Sequence, residues 1–130
     1  LHSAEFQMAN PNINAPSSCF ANNALLSLGT STDTLIIANA ASSSKVFLFD
    51  SILVANTSAA NADITITIYA AATNTGTAYR IANTITVPAK STLVVISKSN
   101  GVNLKEAQSI YATASVAGAL AVTAFWKEFA

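Results

Sequence analysis

Asp63-Ile64-Thr65-Ile66-Thr67-Ile68-Tyr69 alternates polar and apolar side chains without a break. In an extended chain successive side chains point to opposite sides. Ile64, Ile66 and Ile68 therefore share one face, and Thr65 and Thr67 share the other. A helix would scatter the three isoleucines around its axis. The pattern dictates a strand buried on one face and wet on the other, which belongs to an antiparallel sheet.

The same period of two recurs along the chain. Thr34–Ala38, Lys45–Asn56, Ala78–Val87, Thr92–Ser97, Ser109–Val116 and Leu120–Phe129 are rich in Val, Ile, Thr and aromatic residues and read as further strands. Between them lie turn-forming stretches: Ala41–Ser44, Asn56–Asn61, Ala72–Gly76, Pro88–Ser91, Ser99-Asn100-Gly101 and Ala117-Gly118. Asn100-Gly101 suits positive backbone angles, Gly118 reads as a tight hairpin, and Lys105–Gln108 as a short turn. There is no internal repeat. About seven short strands with no strong helix predict an all-β fold, a single antiparallel, jelly-roll-like β-sandwich over residues 33–130. Ile64, Ile66, Ile68, Leu93, Val95, Val122 and Trp126 are its expected core.

Residues 1–32 read differently, as an extended N-terminal arm. Pro11 and Pro16 hold their surroundings out of helix. Ile13, Phe20, Leu25, Leu26 and Leu28 follow without sustained periodicity, and Ala21–Leu28 is expected to make one or two helical turns ending at Gly29. An apolar arm without its own core needs a partner, so these five residues are the candidate interface. Met8-Ala9-Asn10-Pro11 reads as a natural start, which makes Leu1–Gln7 an addition or the product of an alternative start codon read as Leu.

At 130 residues the chain has the length of one domain with a substantial core. Only 9% of residues are charged, and the formal net charge is zero. No membrane is expected, since Val46–Phe49 and Leu93–Ile96 are far shorter than the ~20 apolar residues of a spanning helix. Strand-spanning aromatic girdles are missing too. No nucleic acid is expected either, because the six basic residues, Lys45, Arg80, Lys90, Lys98, Lys105 and Lys127, are scattered. A Ser, Thr, Asn and Ala surface without net charge does not hold copies apart, and so favours association.

Chemistry is sparse. His2 is the single histidine and Cys19 the single cysteine, which leaves no triad, no thiolate cluster and no intramolecular disulfide. No Gly-rich phosphate loop is present. Among the carboxylates, Asp50 interrupts the apolar run Val46–Val54 and reads as a strand bulge or a change of face. Trp126 alternates with Ala124 and Val122 and reads as core, whereas an exposed cluster with Phe125, Phe129 and Tyr111 would make a sugar-stacking platform. Asn56-Thr57-Ser58 matches a glycosylation sequon by chance. No catalytic residue, cofactor or metal is expected, and the chain reads as a non-enzyme.

In order of features, Lys45–Phe129 resembles small β-sandwich virion proteins of tailed bacteriophages, of the cyanophage type. The features are Ile52-Leu53-Val54-Ala55-Asn56-Thr57, the turn Ser58–Ala60, Asp63–Tyr69, Ala78–Asn83 and Ile85-Thr86-Val87-Pro88-Ala89. Ser91–Val95, Leu104–Ile110, Ala112–Ser115 and Val122–Phe129 follow. Ala40–Ser44 stands where such domains often carry Pro-Ala-Gly. The resemblance implies a structural protein, foremost a capsid decoration (cement) protein stabilising the mature shell. Its implied partner is the major capsid protein or another virion structural protein, its implied form a homotrimer, its implied place the capsid exterior. A tail, neck or fibre component is the alternative within that class. A carbohydrate-binding or host-adhesion module is the alternative outside it.

Overall fold

The structure is a computed structural model that describes residues 10–29 and 32–130. His2 and the candidate start at Met8 lie outside the described residues. Among the described residues nine strands form in chain order: β1 (Cys19–Ser27), β2 (Thr34–Asn39), β3 (Val46–Asn56), β4 (Ala62–Tyr69), β5 (Ala78–Val87), β6 (Thr92–Ile96), β7 (Asn103–Leu104), β8 (Gln108–Ala114) and β9 (Leu120–Phe129). A single turn of 3-10 helix, Lys98–Asn100, closes on Gly101 with φ of 69°. That is the left-handed conformation glycine adopts without a Cβ clash.

The strands make two antiparallel sheets. One runs β1-β9-β3-β6, with short β7 also on β3, and the other β2-β8-β4-β5. Eight long strands in two facing four-stranded layers are a jelly roll. Among the long strands only β4 and β5 are both consecutive and paired. Gly118 therefore does not turn a hairpin. Its loop carries the chain from β8 in one sheet to β9 in the other, with Gly118 at φ of 79°.

The core lies between the layers. Ile52, Val54, Val122, Ala124 and Trp126 face Ile64, Ile66, Ile110, Ala112 and Ala114. Ile64, Ile66, Val122 and Trp126 are buried as expected; Ile68, Leu93 and Val95 are half-buried and pack against the same core. Trp126 packs in tilted contact with Phe49 at 5.5 Å between ring centroids and with Phe47 at 6.2 Å. The register of β3 on β9 shifts between Phe49 and Ser51. Asp50 is the extra residue of that bulge, so odd-numbered Phe47 and Phe49 point inward before it and even-numbered Ile52 and Val54 after it.

The start of the chain departs from the sequence reading. Cys19–Ser27 is not helical; it is a nine-residue strand paired along its length with β9, from Cys19↔Phe129 to Ser27↔Ala121. Residues 19–28 belong to the sandwich, not to a free arm, and Gly29 caps no helix. Even-numbered Ala24, Leu26 and Leu28 turn toward the core while Leu25 points out. The three consecutive apolar residues Ala24-Leu25-Leu26 hide this alternation in the sequence. The gain of one more sheet neighbour for β9 decides for strand over weak local helix preference.

Candidate assembly surfaces

The five candidate interface residues are dispersed. Leu28 is fully buried in the core and so cannot be a docking residue, and Leu26 is half-buried against that core. Phe20, Leu25 and Ile13 remain exposed, at 63%, 67% and 48%. Phe20 shares the inward parity of Ala24 and Leu26, yet it lies at the open end of β1 where no facing side chain covers it.

Strand register builds a surface that the sequence reading did not assemble. Leu25 pairs with Thr123, Thr123 with Leu53, and Leu53 with Val94. These four side chains cross the outer face of the β1-β9-β3-β6 sheet in one row, and Phe125 stands in the row beside them, opposite Asn23 and Ser51. Val94 and Phe125 are exposed, as Leu25 is. The charges beside this stripe cancel: Lys127 Nζ lies 2.8 Å from Asp50 Oδ2 and 3.0 Å from Asp50 Oδ1. Asp50 follows Leu48, the partner of Lys127, on this outer face.

The opposite outer face, on the β2-β8-β4-β5 sheet, is mostly polar, with Leu35 exposed beside Tyr111. Tyr69 and Tyr111 meet edge to face at 5.4 Å and are nearly buried there, with Thr67 fully buried beside them. Tyr69 donates to Asp33 Oδ2 at 2.8 Å, and Thr113 donates to Asp33 Oδ1. Arg80 donates to Thr67 Oγ1 at 2.6 Å. The carboxylate of Asp33 holds the Tyr69 phenol by hydrogen bond; burial adds to this, and the nearby negative charge adds again, so its pKa rises above the ordinary 10.0. Asp33, Thr65, Tyr69, Arg80, Asn83 and Thr84 line a shallow hollow of about 460 Å³.

Other sequence candidates are accounted for. Asn56 is 2% exposed, and its amide donates to the carbonyls of Ala60 and Val87, so it presents no accessible glycan acceptor. Trp126 is in the core and Tyr111 is buried, so the sugar-stacking platform does not form. Cys19 is exposed and unpaired with another cysteine. Among the described residues no group of three or more His, Cys, Asp or Glu is placed to hold a metal ion. Among the described residues no helix is long and apolar enough to cross a membrane. Sequence reasoning missed the Asp33–Tyr69–Thr113 cluster because its members are 36 to 80 positions apart. Only sheet order unites them.

No family model matches this sequence, and no curated relative does. In fold, the chain is similar to one in the crystal structure of the T13 IBDV viral particle. The TM-score is 0.50 at 10% identity, over 88% of this chain and 32% of that one. A second similar chain comes from the structure of infectious bursal disease virus Gx strain, with a TM-score of 0.36 at 12% identity, over 88% of this chain and 42% of that one. This chain spans less than half the length of either. The first likeness establishes a shared β-sandwich fold.

Proposed function

We propose that this chain is a structural, non-enzymatic protein of a virion, and specifically a capsid decoration protein that binds the mature shell of a tailed phage from outside. The observation that carries the reading is the uncharged stripe Leu25–Thr123–Leu53–Val94 with Phe125, on a rigid jelly roll of the kind found in a viral particle. Exposed apolar side chains gathered on one face mark a contact surface. Thr and Ser between them let that face stay in water before docking. Its electrical neutrality lets copies crowd on a lattice without mutual repulsion. Once bound to the shell, a homotrimer on three-fold positions is the arrangement we infer, with the major capsid protein or another virion structural protein beneath it.

The physical task of such a protein is linkage. A ligand that binds only the expanded lattice stabilises that lattice by mass action, and the gain grows with copy number. The direct test mixes purified chain with particles lacking it and measures bound copies and the temperature of DNA release. Saturable binding with delayed release supports the reading; no binding, or binding without delay, refutes it.

A tail, neck or fibre position is the alternative within the virion, and imaging separates it by location. The hollow around Asp33, Tyr69 and Arg80 favours a second reading, a host-adhesion module, since a carboxylate, a guanidinium and hydroxyls side by side can hydrogen-bond a sugar. Glycan-array binding lost on Arg80→Ala would support that second reading.

A further inference from the structure

Every open sandwich must protect its edge strands, and this one protects three of four. Strand β2 has six residues and a register shift between Leu35 and Ile37. In β5 there are two register shifts, the charged Arg80 and a left-handed Thr84. The five residues of β6 lie between Lys90 and Lys98 and pair with β3 through a shift. The remaining edge, β1, is nine residues long, about 30 Å. It pairs with β9 in unbroken register, and it contains no proline and no charged side chain.

The hydrogen-bonding parity of β1 follows from its ends. Ser18 and Ala130 exchange both bonds, at 3.1 and 3.0 Å, and Leu28 N–H donates to Leu120 at 2.9 Å. Even-numbered residues therefore bond to β9. In an antiparallel ladder the alternate residues aim outward, so Cys19, Ala21, Asn23, Leu25 and Ser27 turn their N–H and C=O groups away from β9. Among the described residues no strand pairs on that side. Asn22 Oδ1 occupies one of these donors, the Asn23 N–H, at 2.9 Å.

We propose that β1 is a self-association edge, pairing antiparallel with β1 of a second copy about a two-fold axis at Asn23. All five outward residues are then used: Asn23 faces the second copy's Asn23, Ala21 its Leu25, and Cys19 its Ser27. On the core side Phe20 comes opposite the second copy's Leu26. That explains the one inward-parity aromatic the monomer leaves 63% exposed. On the outer side the pairing continues the Leu25–Val94 stripe into a second sheet. A like copy is the occupant because the edge is self-complementary about Asn23, with Phe20 meeting Leu26, and because Asn10–Ser27 carries no charge, so a symmetric contact sets no like charges together. The contact is one strand long, which belongs to the weak class below ~1,200 Å². It forms in a concentration-dependent way in solution and gains strength where a lattice holds copies side by side. This inference does not depend on the identity of the particle.

The test uses the full chain and two exposed positions. Sedimentation equilibrium of the native chain should show monomer and dimer. Leu25→Lys with Ala21→Lys sets lysine against lysine twice and should abolish the dimer. Leu25→Lys with Ala21→Glu sets lysine against glutamate twice and should retain it. Under mild oxidation Ser27→Cys should give a covalent dimer through Cys19 of the other copy, while Leu25→Cys should not form that link. A native chain that stays monomeric at millimolar concentration overturns the proposal. So does association indifferent to the Lys/Lys variant, or failure of Ser27→Cys to crosslink a dimer that does form. Unchanged β-sheet circular dichroism in each variant separates these outcomes from misfolding.

Discussion

The Asn56 side-chain amide on β3 donates at 2.9 Å to the carbonyl of Val87 on β5, a buried bond that ties one sheet to the other. At the opposite end of β3, Asn39 on β2 does the same, donating at 3.1 Å to Leu104 on β7 and at 2.9 Å to Lys45. Both asparagines also accept from a nearby serine hydroxyl, Ser58 for Asn56 and Ser43 for Asn39. Asn56→Ala would take this donor from the Val87 carbonyl in a dry place, while the exposed Ala60 carbonyl keeps the Ser58 hydroxyl. Leaving buried polar groups unpaired should cost about 1–3 kcal/mol, read from urea unfolding. Asn39→Ala should cost a similar amount.

Face assignment gives a second expectation. Ile66 is fully buried and Val94 is 56% exposed. Ile66→Ala should lower stability by about 2–5 kcal/mol, and Val94→Ala by about 0.5 kcal/mol or less. Equal losses in thermal melts would show the strand faces to be reversed.

Truncation separates the first residues by role. Removing residues 1–17 leaves β1 in place and should preserve a cooperative β-sheet melt. Removing residues 1–30 uncovers β9 and deletes Leu28 from the core, so that fragment should not unfold cooperatively. A cooperative melt for the shorter fragment would show β1 to be dispensable.

Thr84 has φ of 53° at the bulge of β5, where Thr65 Oγ1 accepts its N–H at 3.0 Å. A β-branched residue in the left-handed region is strained, at about 1–2 kcal/mol. Thr84→Gly should therefore raise the midpoint of thermal unfolding. A fall would mean that the threonine side chain contributes more than the strain costs.

Tyr69 gives a pH expectation. Its pKa is raised in the folded chain, so the folded state holds the phenolic proton more tightly than the unfolded state does. The resulting stabilisation is complete below pH 10.0, the ordinary value, and is lost as pH rises through the folded value. Asp33→Asn removes the carboxylate and should bring one tyrosine back toward 10.0 in an ultraviolet tyrosinate titration. An unchanged titration would refute the Asp33 assignment.

Much of the fold was legible in the sequence because strand faces are a local property. Asp63–Tyr69, Ala78–Val87 and Leu120–Phe129 show their alternation or their β-rich composition directly. Asp50 announced its bulge by interrupting an apolar run, although its partner Lys127, 77 positions away, was invisible. β1 was illegible because Leu25 adds an outward apolar residue between inward Ala24 and Leu26. β7 is two residues long and carries no pattern. The row Leu25–Thr123–Leu53–Val94 arises from sheet order, a global property that no window of sequence contains.

A shell-bound structural role is open to one decisive measurement, imaging of the particle that carries this chain. Many copies of a two-layered β-domain should stand on the exterior of the capsid, with the Leu25–Val94 face or the β1 edge in contact with neighbours. Particles in which this domain is found only on the tail, or not at all, would contradict it.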